Sequence, residues 1–191
     1  MSSYEQVGAG AGVTRDAERR AEFERLFSAH FRTVTAYARR RAAPAEADDV
    51  VAETFLVAWR RLEDVPADAK AWLLGVARRV LANQRRAAAR RGALALDVAN
   101  NTAPESFPGA TGAPVMEAIA TLPERDRAAL LLVAWEGLST AETAVALGCS
   151  RAAAKVRLHR ARRRLRRKLD ERDDFTAQSL AATPAALEEA L

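Results

Sequence analysis

Apolar side chains recur at intervals of three and four residues along most of the chain, which is the spacing of one face of an α-helix. The first stripe predicts a helix from about residue 17 that ends near Arg41. Beyond Pro44, a second stripe predicts a helix from about Glu46 to Leu62. Beyond Pro66, a third helix is expected from about Asp68 to Arg91.

The amino-acid composition changes between residues 93 and 114, where the sequence reads ALALDVANNTAPESFPGATGAP. Three prolines, two glycines and no basic residue indicate a linker with little structure of its own. We therefore expect an all-α chain of two small helical domains joined by a flexible linker. The predicted divisions are a flexible tail at 1–16, an N-terminal helical domain at 17–92, the linker at 93–114, a C-terminal helical domain at 115–169 and an acidic tail at 170–191.

Local signals in the second unit predict a helix-turn-helix. Ser139 has Glu142 three residues later, a capping-box pattern that begins a short helix from about Thr140 to Leu147. Gly148 can adopt a positive φ, and Ser150 can cap the helix that follows. Two helices joined by a short turn with glycine form this motif. The residues expected to pack between its helices are Ala144, Val145 and Leu147 against Val156 or Leu158.

Positive charge is concentrated in two stripes. The net charge is +5 and the sequence pI is about 10.1, a balance that suggests a polyanionic partner. Six arginines and no acid lie between Arg78 and Arg91, and ten basic residues and no acid lie between Arg151 and Lys168. The second stripe leaves one apolar face on its helix, which is typical of a recognition helix on DNA. A solvated basic helix is the alternative interpretation.

The residue composition reduces the number of functional classes that fit this chain. The single cysteine, Cys149, excludes an intramolecular disulfide and favours a reducing cytoplasm, where it fills the turn as a small side chain. We find no signal-peptide pattern and no run of apolar residues long enough for a membrane span. Neither His30 nor His159 has a partner at metal-ligand spacing, and there is no phosphate-binding loop or paired nucleophile and base. We therefore expect neither a metal nor a cofactor, and no enzyme.

Three stretches resemble one known family. LPERDRAALLLVAWEGLSTAETAVALGCSRAAAKVRLHRARRRLRRKL, from Leu122, is similar to the promoter-reading domain of bacterial RNA polymerase sigma factors of the extracytoplasmic-function (ECF) type. DDVVAETFLVAWRRL resembles the family's polymerase-binding helix, and AWLLGVARRVLANQRR resembles its promoter-melting helix. The resemblance covers about Phe23 to Leu169, with two matches in the expected order on either side of the predicted linker.

By this resemblance, the second predicted helix docks on the largest subunit of core RNA polymerase. Acidic side chains would steer the encounter, and apolar anchors would hold it. Acids in a first turn also complement the helix dipole, and Phe55 and Trp59 also fit positions wholly within the core. The residues assigned to this contact are Asp48, Asp49, Glu53, Phe55 and Leu56.

The third predicted helix corresponds to the one that meets the minus-ten element. Asn can bind adenine through two hydrogen bonds, and Arg can bind guanine or phosphate. Trp72 can stack on an unpaired base, although its place on the apolar stripe favours the core. The family often has Asn at Arg79 and Asp at Asn83, so its minus-ten preference does not transfer to this chain. The assigned residues are Trp72, Arg78, Arg79, Asn83, Arg85 and Arg86.

The last predicted helix corresponds to the one that reads the minus-thirty-five element. From residue 153 this chain reads Ala-Ala-Lys-Val-Arg where the family often has Thr-Val-Lys-Ser-Arg, so Val156 offers only an apolar contact, for example to a thymine methyl group. Arg162 to Lys168 are expected to touch phosphates or to stay solvated. The assigned residues are Ser150, Arg151, Lys155, Val156, Arg157, His159 and Arg160.

The resemblance implies a sigma factor that binds core RNA polymerase, directs it to promoters and helps to melt the DNA. Its implied partners are core polymerase, promoter DNA and an anti-sigma factor. The family threads its linker into the polymerase, and the acids Asp97 and Glu105 suit that path, although a plain tether fits nearly as well. The alternative function is a stand-alone helix-turn-helix regulator that binds an operator without polymerase. Sequence-independent RNA binding is a third interpretation of the basic surface.

Overall fold

All regular elements are helices in the computed structural model, which describes the backbone of residues 6–94 and 113–182. The all-α prediction is therefore confirmed for these ranges. The chain divides into two compact units, Met1–Ser106 and Phe107–Leu191. Most of the predicted linker, residues 95–112, and the end of the predicted acidic tail, residues 183–191, lie outside the described residues.

Within residues 6–94, three helices form the N-terminal unit, and each packs against the other two. They are α1 (Gln6–Arg39), α2 (Pro44–Arg60) and α3 (Ala69–Leu94), with one 3-10 turn (Leu62–Asp64) between α2 and α3. Pro44 occupies the start of α2, where its missing N–H would have no partner within the helix. The three predicted helices are present; the ends of α2 and α3 differ from the prediction by at most three residues, and α1 starts well before its predicted start.

Packing in the N-terminal unit combines an aliphatic centre with an aromatic edge. Val34, Val50 and Leu73, one from each helix, are fully buried in the centre. We call the edge the aromatic cluster: Phe27 of α1 lies 4.7 Å from Phe55 of α2 between ring centroids, and Phe23, Phe31 and Trp59 complete it. The cluster fixes the position of α2 against α1.

The first helix begins earlier than the sequence pattern indicated. We expected a flexible tail over residues 1–16, but α1 already includes residues from Gln6 onward. No proline occurs before Pro44, and each residue added to an existing helix gains a hydrogen bond without a new nucleation step. Farther along α1, Arg19 donates a hydrogen bond of 2.8 Å to the Trp59 carbonyl, which fastens the helix to α2 upstream of the predicted apolar stripe.

In the C-terminal unit, residues 113–182 form four helices. They are α4 (Ala113–Ala120), α5 (Glu124–Ala134), α6 (Thr140–Leu147) and α7 (Arg151–Ala182). The last helix packs against all three of the others. The core of the C-terminal unit is a cluster of buried residues to which α4, α5 and α7 contribute, namely Ile119, Leu122, Leu130, Leu131 and Ala161.

The last helix also passes the predicted boundary of its domain. The sequence indicated an end near Leu169, followed by an acidic tail, whereas α7 continues to Ala182. A change of charge does not interrupt a helix, and the segment from Arg151 to Ala182 contains neither glycine nor proline. An ion pair of 3.4 Å between Arg167 and Glu171 spans the point where the charge changes sign.

Candidate nucleic-acid interface

Local capping fixes the geometry of the helix-turn-helix. The Ser139 hydroxyl accepts a hydrogen bond of 3.2 Å from the Glu142 N–H, and the Glu142 carboxylate accepts one of 2.7 Å from the Ser139 N–H. Gly148 adopts the left-handed conformation with φ 62° and ψ 45°. The Ser150 hydroxyl then accepts from the Ala153 N–H at 3.2 Å. All three predicted signals are confirmed, and together they set where α6 ends and α7 begins.

The buried face of α7 determines which residues can reach DNA. Ala154, Leu158 and Ala161 are at most 2% exposed. Val156 lies two positions from both Ala154 and Leu158, which places it on the opposite side of the helix, and it is 47% exposed. Of the basic residues assigned to the minus-thirty-five element, Arg157 is half-buried and the others are exposed. The predicted residues of α7 therefore surround an outward-facing valine.

The expected packing of Val145 and Val156 between the two helices is wrong. Val145 is 48% exposed and Val156 is 47% exposed, so both side chains face solvent. Ala144 is buried as expected, and Leu158, the other predicted partner on α7, is 2% exposed. A small side chain suffices at position 144 because α6 and α7 approach closely across the tight turn at Gly148.

An open groove lies beside the first turns of α7. Predicted residues Arg151, Lys155 and His159 line it at intervals of four residues, which places them along one side of the helix. Arg162 continues the row, and Thr140 of α6 faces it across the groove. Thr140 was not among the predicted site residues, and Arg162 was expected only to touch phosphates or to stay solvated. The helical spacing of Arg162 from His159 was the available signal.

Two arginines of α7 serve the fold. Arg164 pairs with Asp126 of α5, whose side chain is 9% exposed, and Arg172 pairs with Glu117 of α4. Arg164 was expected to touch phosphates or to stay solvated; it forms this ion pair while its side chain remains 42% exposed. These pairs orient α7 on the helices beneath it.

A second open groove separates α2 from α3 in the N-terminal unit; we call it the α2–α3 groove. Asp49, Glu53 and Leu56, assigned to polymerase binding, line one part of it. Arg79 and Asn83, assigned to the minus-ten element, line another part. The structure thus brings two predicted sets into one surface, together with Arg61, which belonged to neither set. Its apolar lining comes from Ala52, Val57, Val76 and Val80.

The apolar anchors proposed for α2 do not share one environment. Phe55 is 4% exposed and lies within the aromatic cluster, so it does not belong to the surface, and the interpretation that places it in the core is the correct one. Leu56 is 41% exposed on the groove side. Asp48 forms a long ion pair of 3.7 Å with Arg39 of α1, in which both side chains are exposed. Among these three residues, the surface of α2 therefore offers Leu56 and Asp48.

The residues assigned to the minus-ten element also differ from one another. Trp72 is half-buried, in keeping with its place on the apolar stripe. Arg85 donates a hydrogen bond of 2.8 Å to the Arg41 carbonyl at the end of α1, which gives it a role in the fold. Arg86 donates to the Asn83 side chain. Burial, followed by the positive charges of Arg78 and Arg61, lowers the pKa of Arg79.

The histidines and the cysteine are not gathered into a metal-binding group in the part of the chain that the structure describes. Within the described residues, no group of three or more His, Cys, Asp or Glu side chains could hold a metal ion. Cys149 is a half-buried free thiol in the turn. No helix among the described ranges is both long and apolar enough to span a membrane.

Comparison with known families finds both units. Residues 26–91 match the family described as Sigma-70 region 2, and residues 113–165 match Sigma-70 region 4. The chain is 34% identical over 171 residues to the ECF RNA polymerase sigma factor SigL of Mycobacterium tuberculosis, covering 85% of this chain and 94% of SigL. It is 30% identical over 156 residues to the RNA polymerase sigma factor NccH of Alcaligenes xylosoxydans xylosoxydans, covering 75% of this chain and 84% of NccH.

A solved structure shares the fold. The sigma factor RpoE from Bartonella quintana, crystallised with the anti-sigma factor NepR, superimposes with a TM-score of 0.58 at 23% identity. The match covers 78% of this chain and 96% of RpoE.

Proposed function

Because this chain belongs to the extracytoplasmic-function group of RNA polymerase sigma factors, we propose a division of labour between its two units. The protein directs core RNA polymerase to specific promoters and helps to melt the DNA. The N-terminal unit binds polymerase and the minus-ten element, and the C-terminal unit binds the minus-thirty-five element. The observation that carries this proposal is the ordered match of both sigma regions together with the likeness to SigL over nearly its whole length.

The surface of α2 supports the proposed polymerase contact. Asp48, Asp49 and Glu53 are exposed and supply charge that speeds encounter. Leu56 supplies exposed apolar area next to them, and burial of such a side chain is what holds an interface together. Phe55 supports this surface indirectly, because its packing within the aromatic cluster holds α2 against α1.

The exposed face of α7 supports the proposed minus-thirty-five contact. Arg151, Lys155 and His159 can reach base edges and phosphates from the first turns of the helix, while Val156 provides an apolar point between them. The caps at Ser139 and Ser150 hold this face in place before DNA arrives. Little order has to be created on binding, and this preorganisation favours affinity.

The partners of the chain and its place of action complete the proposed function. Catalysis belongs to core polymerase, and this chain performs no bond chemistry of its own. Its place of action is the cytoplasm, where polymerase meets promoters. An anti-sigma factor is a further partner, as the family resemblance implies, and RpoE of the same fold was solved with one bound. The acidic linker, with Asp97 and Glu105, enters the positively charged interior of the polymerase.

Run-off transcription tests the function directly. Bacterial core polymerase is supplied with a library of promoter fragments, with and without the full chain. Promoter-specific transcripts that require both proteins are the expected result, and their start sites locate both promoter elements. Tight sequence-specific binding of the chain to DNA alone, without any stimulation of transcription, would instead identify a stand-alone regulator.

A further inference from the structure

Arg61 occupies a prominent position in the α2–α3 groove. It follows the last residue of α2 and lines the groove with Arg79 and Asn83. A cation at a helix C-terminus is favourable in itself because it meets the negative end of the dipole. That effect explains why a basic residue is tolerated here, but it does not account for the contacts that fix its side chain.

Two neighbours hold the Arg61 side chain. Its Nε donates a hydrogen bond of 2.9 Å to the Asp64 carboxylate, and its guanidinium lies 6.0 Å from the centroid of the Trp72 ring. A guanidinium has five N–H groups, so the four on its terminal nitrogens lie outside the bond to Asp64. The side chain is therefore oriented while most of its donors remain available to an anion.

The same groove concentrates positive charge around Arg79. Arg61 and Arg79 line this groove together, and burial, followed by the positive charges of Arg78 and Arg61, lowers the pKa of Arg79. Among the described residues, Arg79 forms no ion pair. An anion placed between Arg61 and Arg79 would offset these positive charges and complete a charge-assisted site.

The rest of the groove favours a separated DNA strand over a duplex. Leu56, which is 41% exposed, and the half-buried Val57 offer apolar area that suits an unstacked base or a sugar, and Asn83 can bind a base edge. Asp49 and Glu53, at the α2 side, repel phosphates and so confine them to the arginine side. A strand with alternating phosphates and exposed bases fits this division, whereas a duplex presents chiefly its charged backbone.

We propose that Arg61 and Arg79 together bind one backbone phosphate of the melted promoter strand, and that Trp72 acts by positioning Arg61. This inference rests on the proposed function and deepens it by adding a strand contact absent from the predicted set. Trp72 is a positioning residue in this arrangement, because the guanidinium covers the face of the ring on which a base would otherwise stack.

Holoenzyme made from core polymerase and the full chain provides the test. The probes are a promoter fragment selected by the wild type and a single-stranded oligonucleotide of its non-template minus-ten region. We expect Arg61→Ala to bind the oligonucleotide about tenfold more weakly. The slope of log affinity against log salt should become less steep by up to about 0.7, the value for one phosphate on a single strand, since Arg79 still contacts that phosphate. Arg61→Lys, which keeps the charge, should retain the slope.

Arg60→Ala is the matched control, since Arg60 is exposed on the last turn of α2 and does not line the groove. It should leave both the affinity and the slope unchanged. Equal losses for the two variants, or none for Arg61→Ala, would overturn the phosphate contact. A weaker affinity of Arg61→Ala for core polymerase without DNA would also overturn it and assign Arg61 to the polymerase interface. Failure of the wild type to select any promoter would instead refute the proposed function.

The role of Trp72 needs a double-mutant cycle. Trp72→Phe is expected to weaken oligonucleotide binding in the wild-type background and to have no further effect in Arg61→Ala, because its effect passes through Arg61. Additive losses would mean that Trp72 contacts the strand itself, and would refute the positioning role.

Discussion

At the scale of single residues, α7 exposes Val156 among basic side chains, and we propose that this valine contributes to discrimination between bases. Arginine and lysine gain affinity from phosphates of any sequence, whereas an apolar side chain gains from burying apolar area. Val156 is exposed opposite the buried face, and the thymine methyl group is the apolar group that the major groove presents. Discrimination at one base pair should therefore depend on Val156.

We predict that Val156→Ala reduces the preference for thymine over cytosine at one minus-thirty-five position. The expected loss is about fourfold, the effect of roughly one methylene-sized contact. The measurement is sequence selection by holoenzyme from fragments randomised at that element. Val145→Ala is the control, because Val145 is equally exposed but lies on α6. An unchanged preference in Val156→Ala would show that no base contacts this side chain.

His30 gives the N-terminal unit a predicted dependence on pH. Burial lowers its pKa below the ordinary value of 6.5, while Asp68 acts to raise it and Lys70 to lower it. The unfolded chain then binds more protons below about pH 6.5, so the contribution of His30 is complete above that pH and is lost as pH falls through the folded pKa. His30→Gln should flatten this part of the profile of urea midpoint against pH.

At the scale of elements, the arrangement of α7 on α5 depends on one ion pair more than on the others. Asp126 is nearly buried and pairs with Arg164, whereas Glu171 and Arg167 are both well exposed. Loss of a partner from a buried group leaves an unsatisfied charge, while an exposed pair exchanges its partner for water. The two pairs should therefore differ in their contributions to stability.

We predict that Asp126→Asn lowers the free energy of unfolding by about 1–2 kcal/mol, a figure kept modest because Arg164 remains partly hydrated. Glu171→Gln should lower it by less than about 0.5 kcal/mol. Urea denaturation followed by circular dichroism gives both values. Equal effects in the two variants would mean that burial of Asp126 does not control the strength of its pair.

Local signals account for the elements that the sequence predicted well. Ser139, Glu142 and Gly148 act through neighbours three to five residues away, so their roles in capping and turning were readable from spacing alone. The placement of Phe55 and Val156 was not, because the choice between core and surface depends on which helix packs alongside. The end of α7 was misplaced because charge was taken as a boundary where no helix-breaking residue occurs.

The α2–α3 groove shows the same limit for the candidate site. Glu53 and Arg79 are distant in sequence and were assigned to different partners, yet both line one surface. Their juxtaposition arises from the packing of α2 on α3, which no local spacing encodes. Arg61 was overlooked for a similar reason, since its contact with Trp72 crosses the connection between the helices.

At the scale of the whole molecule, we expect the predicted linker between the two units to be accessible to proteases. The sequence contains no Lys or Arg between Arg91 and Arg125, but it has Glu105 within the predicted linker. A Glu-specific protease should therefore cut first after Glu105, giving fragments 1–105 and 106–191, while trypsin should leave this interval intact. Mass spectrometry of a time course identifies the fragments. Early cleavage after Glu63 or Glu117 instead would contradict the predicted linker.

Both units remain in solution after this cleavage. Run-off transcription with the cleaved chain therefore tests whether the two units must be covalently joined. We expect the cleaved chain to lose promoter-specific run-off transcription, because independent fragments no longer share one effective concentration at the promoter. Undigested chain carried through the same incubation without protease is the control. Full activity of the cleaved chain would show that each unit is held on the polymerase independently.

Continuity of α7 has a mechanical consequence. Its 32 residues correspond to about 48 Å at 1.5 Å per residue, which exceeds the roughly 34 Å of one turn of DNA. The basic face near Arg151 and the acidic segment from Asp170 thus belong to one stiff rod without a glycine or proline hinge. A protein that grips the distal end can tilt the DNA-reading end through an angle, and so alter promoter engagement without covering a single base-contacting side chain.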